Sequence, residues 1–330
     1  MGVAHSDAEV TLDDEPIPFM ARTRAYYGAL GYTTAYHWAH YPDVPFTQPD
    51  KALASSRIAL VTTAAPYQPG KGDQGPGAPY NGAAKFFSVY SFGSDCDPDL
   101  RISHVAIDRA HTTAEDIGTW FPGEALRRAV ARARVGSVAP RFHGLPTNRS
   151  QRITIEIDAP TLVQRCIDDG ADAAILVPNC PVCHQSCAIA ARALEAAGVA
   201  TVVMGCARDI VEHVGVARFL FSDFPLGNAA GRPHDRPSQD ATLELALGLL
   251  ETAKAPRTTL RSHLRWSDDA SWKLDYCNVD RLSDAELRRL REGFDAAKAA
   301  AEPAKMAAKP AKMAVEPAKV LAERSTVHTR

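Results

Sequence analysis

The chain of 330 residues is 45% apolar and 23% charged, which is enough for one large or two modest globular cores. A formal net charge of -2 excludes general attraction to nucleic acid or to an anionic membrane surface. No apolar run approaches the roughly 20 residues that span a bilayer, and no basic-then-apolar leader opens the chain, so a cytoplasmic protein is expected.

Residues 1–16 are polar and acidic and read as disordered; 17–56 hold Phe19, Tyr26, Tyr27, Tyr32, Tyr36, Trp38, Tyr41 and Phe46, an aromatic cover for the core or a substrate wall. Residues 57–158 read as a first α/β lobe. Its strands are Arg57 to Ala64, Phe86 to Phe92, Leu100 to Ile107 and Val135 to Pro140, with a helix over Pro122 to Arg134. Residues 159–255 form a second lobe: helix Ala159 to Asp168, strand Ala173 to Val177, a helix to about Ala197, strand Ala200 to Met204, helix Ala207 to His213, strand Ala217 to Ser222 and helix Thr242 to Thr252. Residues 256–299 close with a helix capped by Ser283 and Glu286. Residues 300–330 repeat Pro-Ala-Lys and read as a disordered tail. Strands alternating with helices predict an α/β fold with a parallel sheet in a three-layer, Rossmann- or flavodoxin-like architecture. Two such lobes would share a cleft.

In parallel sheets the carboxyl ends of the strands form the ligand crevice. Cys180, Cys206 and Asp223 fall just beyond strand ends, and Thr62, Thr63, Arg141 and His143 are placed to join them. Pro181 suits the first helical position, which sets Cys180 at the N-cap, where the helix dipole favours a thiolate. Cys183 lies in the first turn. Seven cysteines, an odd number, do not suggest a disulfide framework; Cys-x-x-Cys-His at this place is open to thiol redox chemistry, haem attachment or metal binding. The metal alternative takes Cys180, Cys183, His184 and Cys206 as ligands, whereas the redox reading needs no metal. His104 with Asp108, or His184, supplies protons. The basic loop with Arg141, His143, Asn148, Arg149 and Arg152 is suited to gripping a carboxylate. No nucleotide-binding glycine motif occurs in a fitting context.

Three stretches then carry a family resemblance: Ala174-Ile-Leu-Val-Pro-Asn-Cys180-Pro-Val-Cys183, Leu194-Glu-Ala-Ala-Gly-Val-Ala-Thr-Val-Val, and Phe221-Ser-Asp-Phe-Pro-Leu-Gly227. With Arg57-Ile-Ala-Leu-Val-Thr-Thr and Arg101-Ile-Ser-His104-Val-Ala-Ile-Asp108, they resemble the selenoprotein B subunits of glycine, sarcosine, betaine and D-proline reductases over roughly residues 55 to 250. The resemblance implies that Cys180 stands at the selenocysteine position and Cys183 is the resolving cysteine. It further implies reductive cleavage of a carbon–heteroatom bond in a small substrate and a pyruvoyl group on a partner reductase subunit rather than on this chain. Electrons would come from a thioredoxin-like carrier or a low-molecular-weight thiol. A homo-oligomer is expected. A non-catalytic binding subunit of a reductase complex is the remaining alternative.

Overall fold

The computed structural model describes residues 15–96, 98–102, 104, 106–147 and 150–313. In chain order the elements are α1 (Phe19–Ala29), β1 (Arg57–Thr62), β2 (Ala65–Pro66), β3 (Tyr90–Gly93), β4 (Leu100–Arg101), α2 (Gly123–Ala131), β5 (Ser137–Val138) and β6 (Arg141–Gly144). Then come α3 (Gln151–Ile153), α4 (Ala159–Asp168), β7 (Ala173–Val177), α5 (Pro181–Ala196), β8 (Ala200–Gly205), α6 (Arg208–Val214), β9 (Arg218–Phe221), α7 (Arg236–Thr252), β10 (Thr258–Arg261) and α8 (Asp284–Met313).

One sheet holds eight of the strands in the order β10-β9-β8-β7-β1-β6-β3, with β5 also paired to β1. Every pairing in it is parallel except that of β3 with β6. β1 and β7 pair along five residues, Ile58 opposite Ala173 to Thr62 opposite Val177. The two segments expected as separate lobes are therefore joined in one sheet, because β1 is apolar on both faces and needs a neighbour on each side.

Alternate residues of the central strands feed two cores. Ile58, Leu60, Ile175, Val177, Val202 and Met204 pack under Leu126 of α2 and Leu243 and Leu247 of α7. Ala59, Val61, Ala174, Leu176 and Val203 face Leu162 of α4 and Ala188, Ala191 and Leu194 of α5. Helix layers on both faces of a mainly parallel sheet make the expected three-layer α/β fold. Among the described residues no helix is long and apolar enough to cross a membrane.

A buried ion pair fastens the N-terminal segment to this framework. Arg218 and Glu195 side chains are both fully buried, with Nη1 and Oε1 3.0 Å apart. Glu195 also accepts from Thr201 N (2.6 Å) and Thr47 N (2.6 Å), while Arg218 donates to Thr47 O and stacks over Phe46.

Several elements differ from expectation. The expected strand over 86–92 is limited to β3, an antiparallel edge; among the described residues of 100–107 only the two of β4 are in a strand, paired with β2. The strand over 135–140 is limited to β5. α7 begins at Arg236, six residues before the expected Thr242, since the Asp235 side chain caps Ser238 N. The capping box of the last helix forms: Glu286 accepts from Ser283 N (2.9 Å), and Ser283 Oγ accepts from Glu286 N. That helix does not stop near 300, however. It passes Pro303 and Pro310 to Met313, because Ala, Lys and Glu are strong helix formers and α8 is seated on the turn at Gly82–Ala84. Gly82 makes the seat possible: a Cβ there would lie 2.4 Å from Ala297 O. Residues 1–14 and 314–330, expected to be disordered, lie outside the described residues.

Candidate active site

The apolar run of β7 ends at Val177, and Pro178-Asn179 turns the chain into α5. Thr63, just past β1, holds this turn: its hydroxyl accepts from Asn179 N and Nδ2, both at 3.1 Å. Cys180 is the N-cap residue and Pro181 opens the helix, as the sequence predicts. Cys180 Sγ accepts from Cys183 N at 3.3 Å, which brings its sulfur over the helix N-terminus. One turn on, Cys183 Sγ lies 2.6 Å from Cys180 Sγ and 3.0 Å from Thr147 Oγ1; both cysteines are free thiols. His104 completes the group, with ligand atoms of His104, Cys180 and Cys183 all within 4.8 Å of one another.

The two thiols are electrostatically unequal. Burial and the hydrogen bond to Cys183 push Cys180 up. Burial also works against ionising Cys183, but hydrogen bonding from Cys180, the charge of His104 and hydrogen bonds from His104 and Thr147 hold its thiol well below the ordinary range. The thiolate-favouring environment expected at the N-cap Cys180 thus falls instead on Cys183, one turn into the helix.

Cys180 opens onto a cleft of about 1950 Å³, while Cys183 lies behind it and does not line that space. Thr147, His104, Asp108, Arg109, Lys85 and Arg152 form part of the wall. Tyr26, Tyr27, Tyr32, Tyr36, Trp38, Phe86 and Phe87 add aromatic surface, and Phe294 and its neighbours on α8 close the far side. The aromatic N-terminal segment therefore does both things considered for it. Phe19 and Phe46 pack on the core, and the tyrosines face the cleft. Gln185 of α5 links the two regions, accepting from Ala39 N (2.7 Å) and donating to Tyr36 Oη (2.7 Å).

The chain is similar to the D-proline reductase subunit gamma of Acetoanaerobium sticklandii, 27% identical over 205 residues that cover 60% of this chain and 82% of the relative. This similarity supports a relationship to the proline and glycine reductases in general. No family model matches the chain, and no solved structure matches it.

The structure separates the remaining site candidates. His184 points back into the fold: its Nδ1 donates to Cys180 O (2.8 Å), and Nε2 accepts from Cys206 N (2.9 Å) and Ala207 N (3.1 Å). Both ring nitrogens are committed, so His184 fastens α5 to the end of β8 and cannot deliver a proton. Gly205 is required there, since a Cβ would meet the His184 ring at 2.7 Å. Cys206 is buried with its thiol toward Pro225 O. The expected metal set is accordingly corrected: His104, not His184 or Cys206, joins the two cysteines.

Asp108 does reach the cleft, but its histidine partner is His111 (Nδ1 to Oδ1 2.9 Å), not His104. Burial pushes the Asp108 carboxyl up, and among the described residues Oδ2 has no hydrogen-bond partner. Thr62 is used structurally, accepting from Ala64 N. Arg141 and His143 lie away from the cleft around Asp169, Arg141 Nε at 2.7 Å and His143 Nε2 at 3.2 Å. Asp223 is held by Lys273 (2.5 Å) and Arg261 (2.9 Å). Arg152 lines the cleft while paired to Glu156. Asn148 and Arg149 lie outside the described residues.

Thr147, Arg109 and Lys85 were not singled out by the sequence reading. Thr147 follows the carboxyl end of β6, so the crevice rule was the signal for it. Arg109 steadies the neighbouring loop by donating to His104 O (2.7 Å) and Ala78 O (2.9 Å).

The two buried histidines set a pH dependence. Burial lowers His143 and His184 from the ordinary 6.5 to about 4. The unfolded chain takes up these protons first, so stability is full above about 6.5 and falls as pH drops toward about 4, by up to about 3 kcal/mol for each histidine. Urea denaturation at pH 7 and pH 5 should show the fall, and His184→Gln should remove about half of it; an unchanged midpoint in the wild type contradicts this.

Proposed function

We propose that this chain is the thiol-bearing subunit of a reductase complex that cleaves a carbon–heteroatom bond, with Cys180, at the selenocysteine position, as nucleophile and Cys183 as resolving thiol. The observation that carries the reading is the arrangement of the pair: Cys180 opens on the cleft at a helix N-cap, and Cys183 waits 2.6 Å behind it. The cited relative is named as a subunit of D-proline reductase, which supports a partner reductase subunit for this chain also. The cleft is roughly twice the upper end of the 300–1,000 Å³ usual for small-ligand pockets, leaving room for part of such a partner beside the substrate. The pyruvoyl group implied by the resemblance belongs on that partner; this chain's residues supply the thiol steps.

In the first step the Cys180 proton passes to Cys183 as Cys180 Sγ bonds to the substrate carbon. The carbon–heteroatom bond breaks, and the leaving heteroatom takes its electron pair and a proton from Asp108. In the second step His104 removes the proton from Cys183, whose sulfur attacks Cys180 Sγ. The sulfur–carbon bond breaks, the carbon keeps the electron pair, and it is protonated from His104. One thiol and one thiolate have become a disulfide, and the substrate has gained two electrons and two protons, one from the cysteine pair and one from Asp108. Asp108 regains its proton from water. A thioredoxin-like protein or small dithiol then reduces the disulfide by exchange. Arg109, Lys85 and Arg152 make the wall suitable for a carboxylate-bearing substrate.

Cys183→Ser blocks the second step and slows the first, since Cys183 takes up the Cys180 proton there, so the adduct should build up slowly and persist. In the assembled complex without added thiol, D-proline or glycine as first substrate should leave a substrate-derived adduct on Cys180, seen as a mass increase that maps to the Cys180 peptide. Steady turnover by this variant would contradict the resolving role.

A further inference from the structure

We propose that the reduced site is also a zinc-binding site, formed by Cys180, Cys183 and His104, whose occupancy withdraws the thiol pair from redox chemistry. The inference deepens the thiol reading and rests on it only for the consequence, not for the binding. Three soft or borderline ligand atoms from two distant parts of the chain converge within 4.8 Å. In a tetrahedral zinc site, with Zn–S near 2.3 Å and Zn–N near 2.0 Å, neighbouring ligand atoms stand roughly 3.5–3.8 Å apart. The sulfurs need only part from 2.6 Å by a rotation at Cys180, whose side faces the open cleft.

A second observation points the same way. Among the described residues the buried Nδ1 of His104 has no hydrogen-bond partner, which leaves an unused lone pair or N–H on the ring that meets the two thiols. The Cys-x-x-Cys spacing at a helix start is a common zinc-ligand spacing. Charge also favours the ion. A bare thiolate in this buried place is costly, whereas Zn²⁺ with two thiolates and a neutral imidazole has no net charge. The thiol proton is released to solvent as the metal binds. Arg109 holds the His104 backbone by a 2.7 Å bond to its carbonyl, so the third ligand is positioned in advance. The fourth position faces the cleft and is left to water.

Zinc and a disulfide compete for the same two sulfurs. Metal binding thus reads the redox state of the pair, and free zinc stops turnover by occupying the nucleophile.

Cobalt(II) titration of the reduced full-length chain tests the site without reference to activity. The expected result is one Co²⁺ per chain with the d–d bands of a tetrahedral complex and thiolate-to-cobalt charge transfer, both lost on adding Zn²⁺. Cys180→Ser and Cys183→Ser should each weaken binding at least 100-fold and reduce the charge-transfer band, and His104→Ala should weaken it at least tenfold. Cys96→Ser, in an exposed loop, should bind as the wild type does. Protein oxidised to the Cys180–Cys183 disulfide should give no spectrum. An octahedral or absent spectrum in the reduced wild type, or an unchanged one in Cys180→Ser, overturns the proposal. Alkylation of Cys180 in the presence of a chelator reads its reactivity separately, so failure of the metal site and failure of the thiol reading give different results.

Discussion

Cys180→Ser is expected to lower reductive turnover by at least about 10³-fold while leaving the fold intact. A serine hydroxyl does not ionise near neutral pH and does not form the carbon–sulfur bond or the disulfide that the two steps need. Its structural role, in contrast, is preserved. Cys180 is the N-cap of α5 and accepts the backbone N–H of Cys183, and serine is among the best residues for that task. Thermal unfolding should therefore be unchanged or slightly higher. This pairing of outcomes matters, since a loss of activity that came with a loss of stability would say nothing about chemistry. Wild-type turnover by the variant would remove Cys180 from the mechanism.

Glu195→Ala is expected to cost about 3–5 kcal/mol of stability, a large part of the 5–15 kcal/mol typical of a folded domain. The carboxylate is fully buried and holds four groups: Arg218, the amide and hydroxyl of Thr201, and the amide of Thr47. Its removal leaves the Arg218 guanidinium in the interior with only carbonyl oxygens and the Phe46 ring for company. It also loosens residues 36–47, which lean on α5 through Gln185 and Glu195 and whose first three residues, Tyr36, His37 and Trp38, line the cleft. Replacing both partners by apolar residues, Glu195→Leu with Arg218→Met, should recover much of the loss, because no charge is then stranded. Urea denaturation of the two variants decides the matter: equal destabilisation of single and double variants would mean that packing, not charge, fixes this joint.

The strand and helix around Cys180 were legible because local chemistry decides them. Five apolar residues, then Pro-Asn, then a cysteine before proline leave few other conformations for 173–181. Partners that depend on distant chain were not. His184 stands next to Cys183 in sequence and was expected as one proton source beside His104 and Asp108, yet helix geometry turns its ring back to Cys180 O and the amides after β8. His104, expected at the site, and Thr147, not expected there, lie 79 and 36 residues away from Cys183 and are brought in by loops that follow strands; no local pattern reports their contact with the cysteines. Arg141 has the composition of an anion-binding residue, but its position on β6 aims it at Asp169. The eight-stranded sheet was foreseen as two pieces, because the strands carry no mark of which neighbour they choose. α8 was cut short for a related reason: proline argues against helix locally, and only the packing of Ala297 and Ala301 on Gly82 shows what holds the helix in place.

The central claim is that Cys180 and Cys183 form a redox pair at the cleft, and one measurement addresses it directly. The reduced full-length chain is treated with one equivalent of hydrogen peroxide, remaining thiols are blocked, and each of the seven cysteines is mapped by peptide mass spectrometry. The account predicts a Cys180–Cys183 disulfide in most chains, reversed by dithiothreitol, while Cys166, Cys187 and Cys206, buried and with thiols pushed up by that burial, stay reduced. Recovery of Cys180 and Cys183 as blocked thiols, with oxidation elsewhere or nowhere, would contradict it.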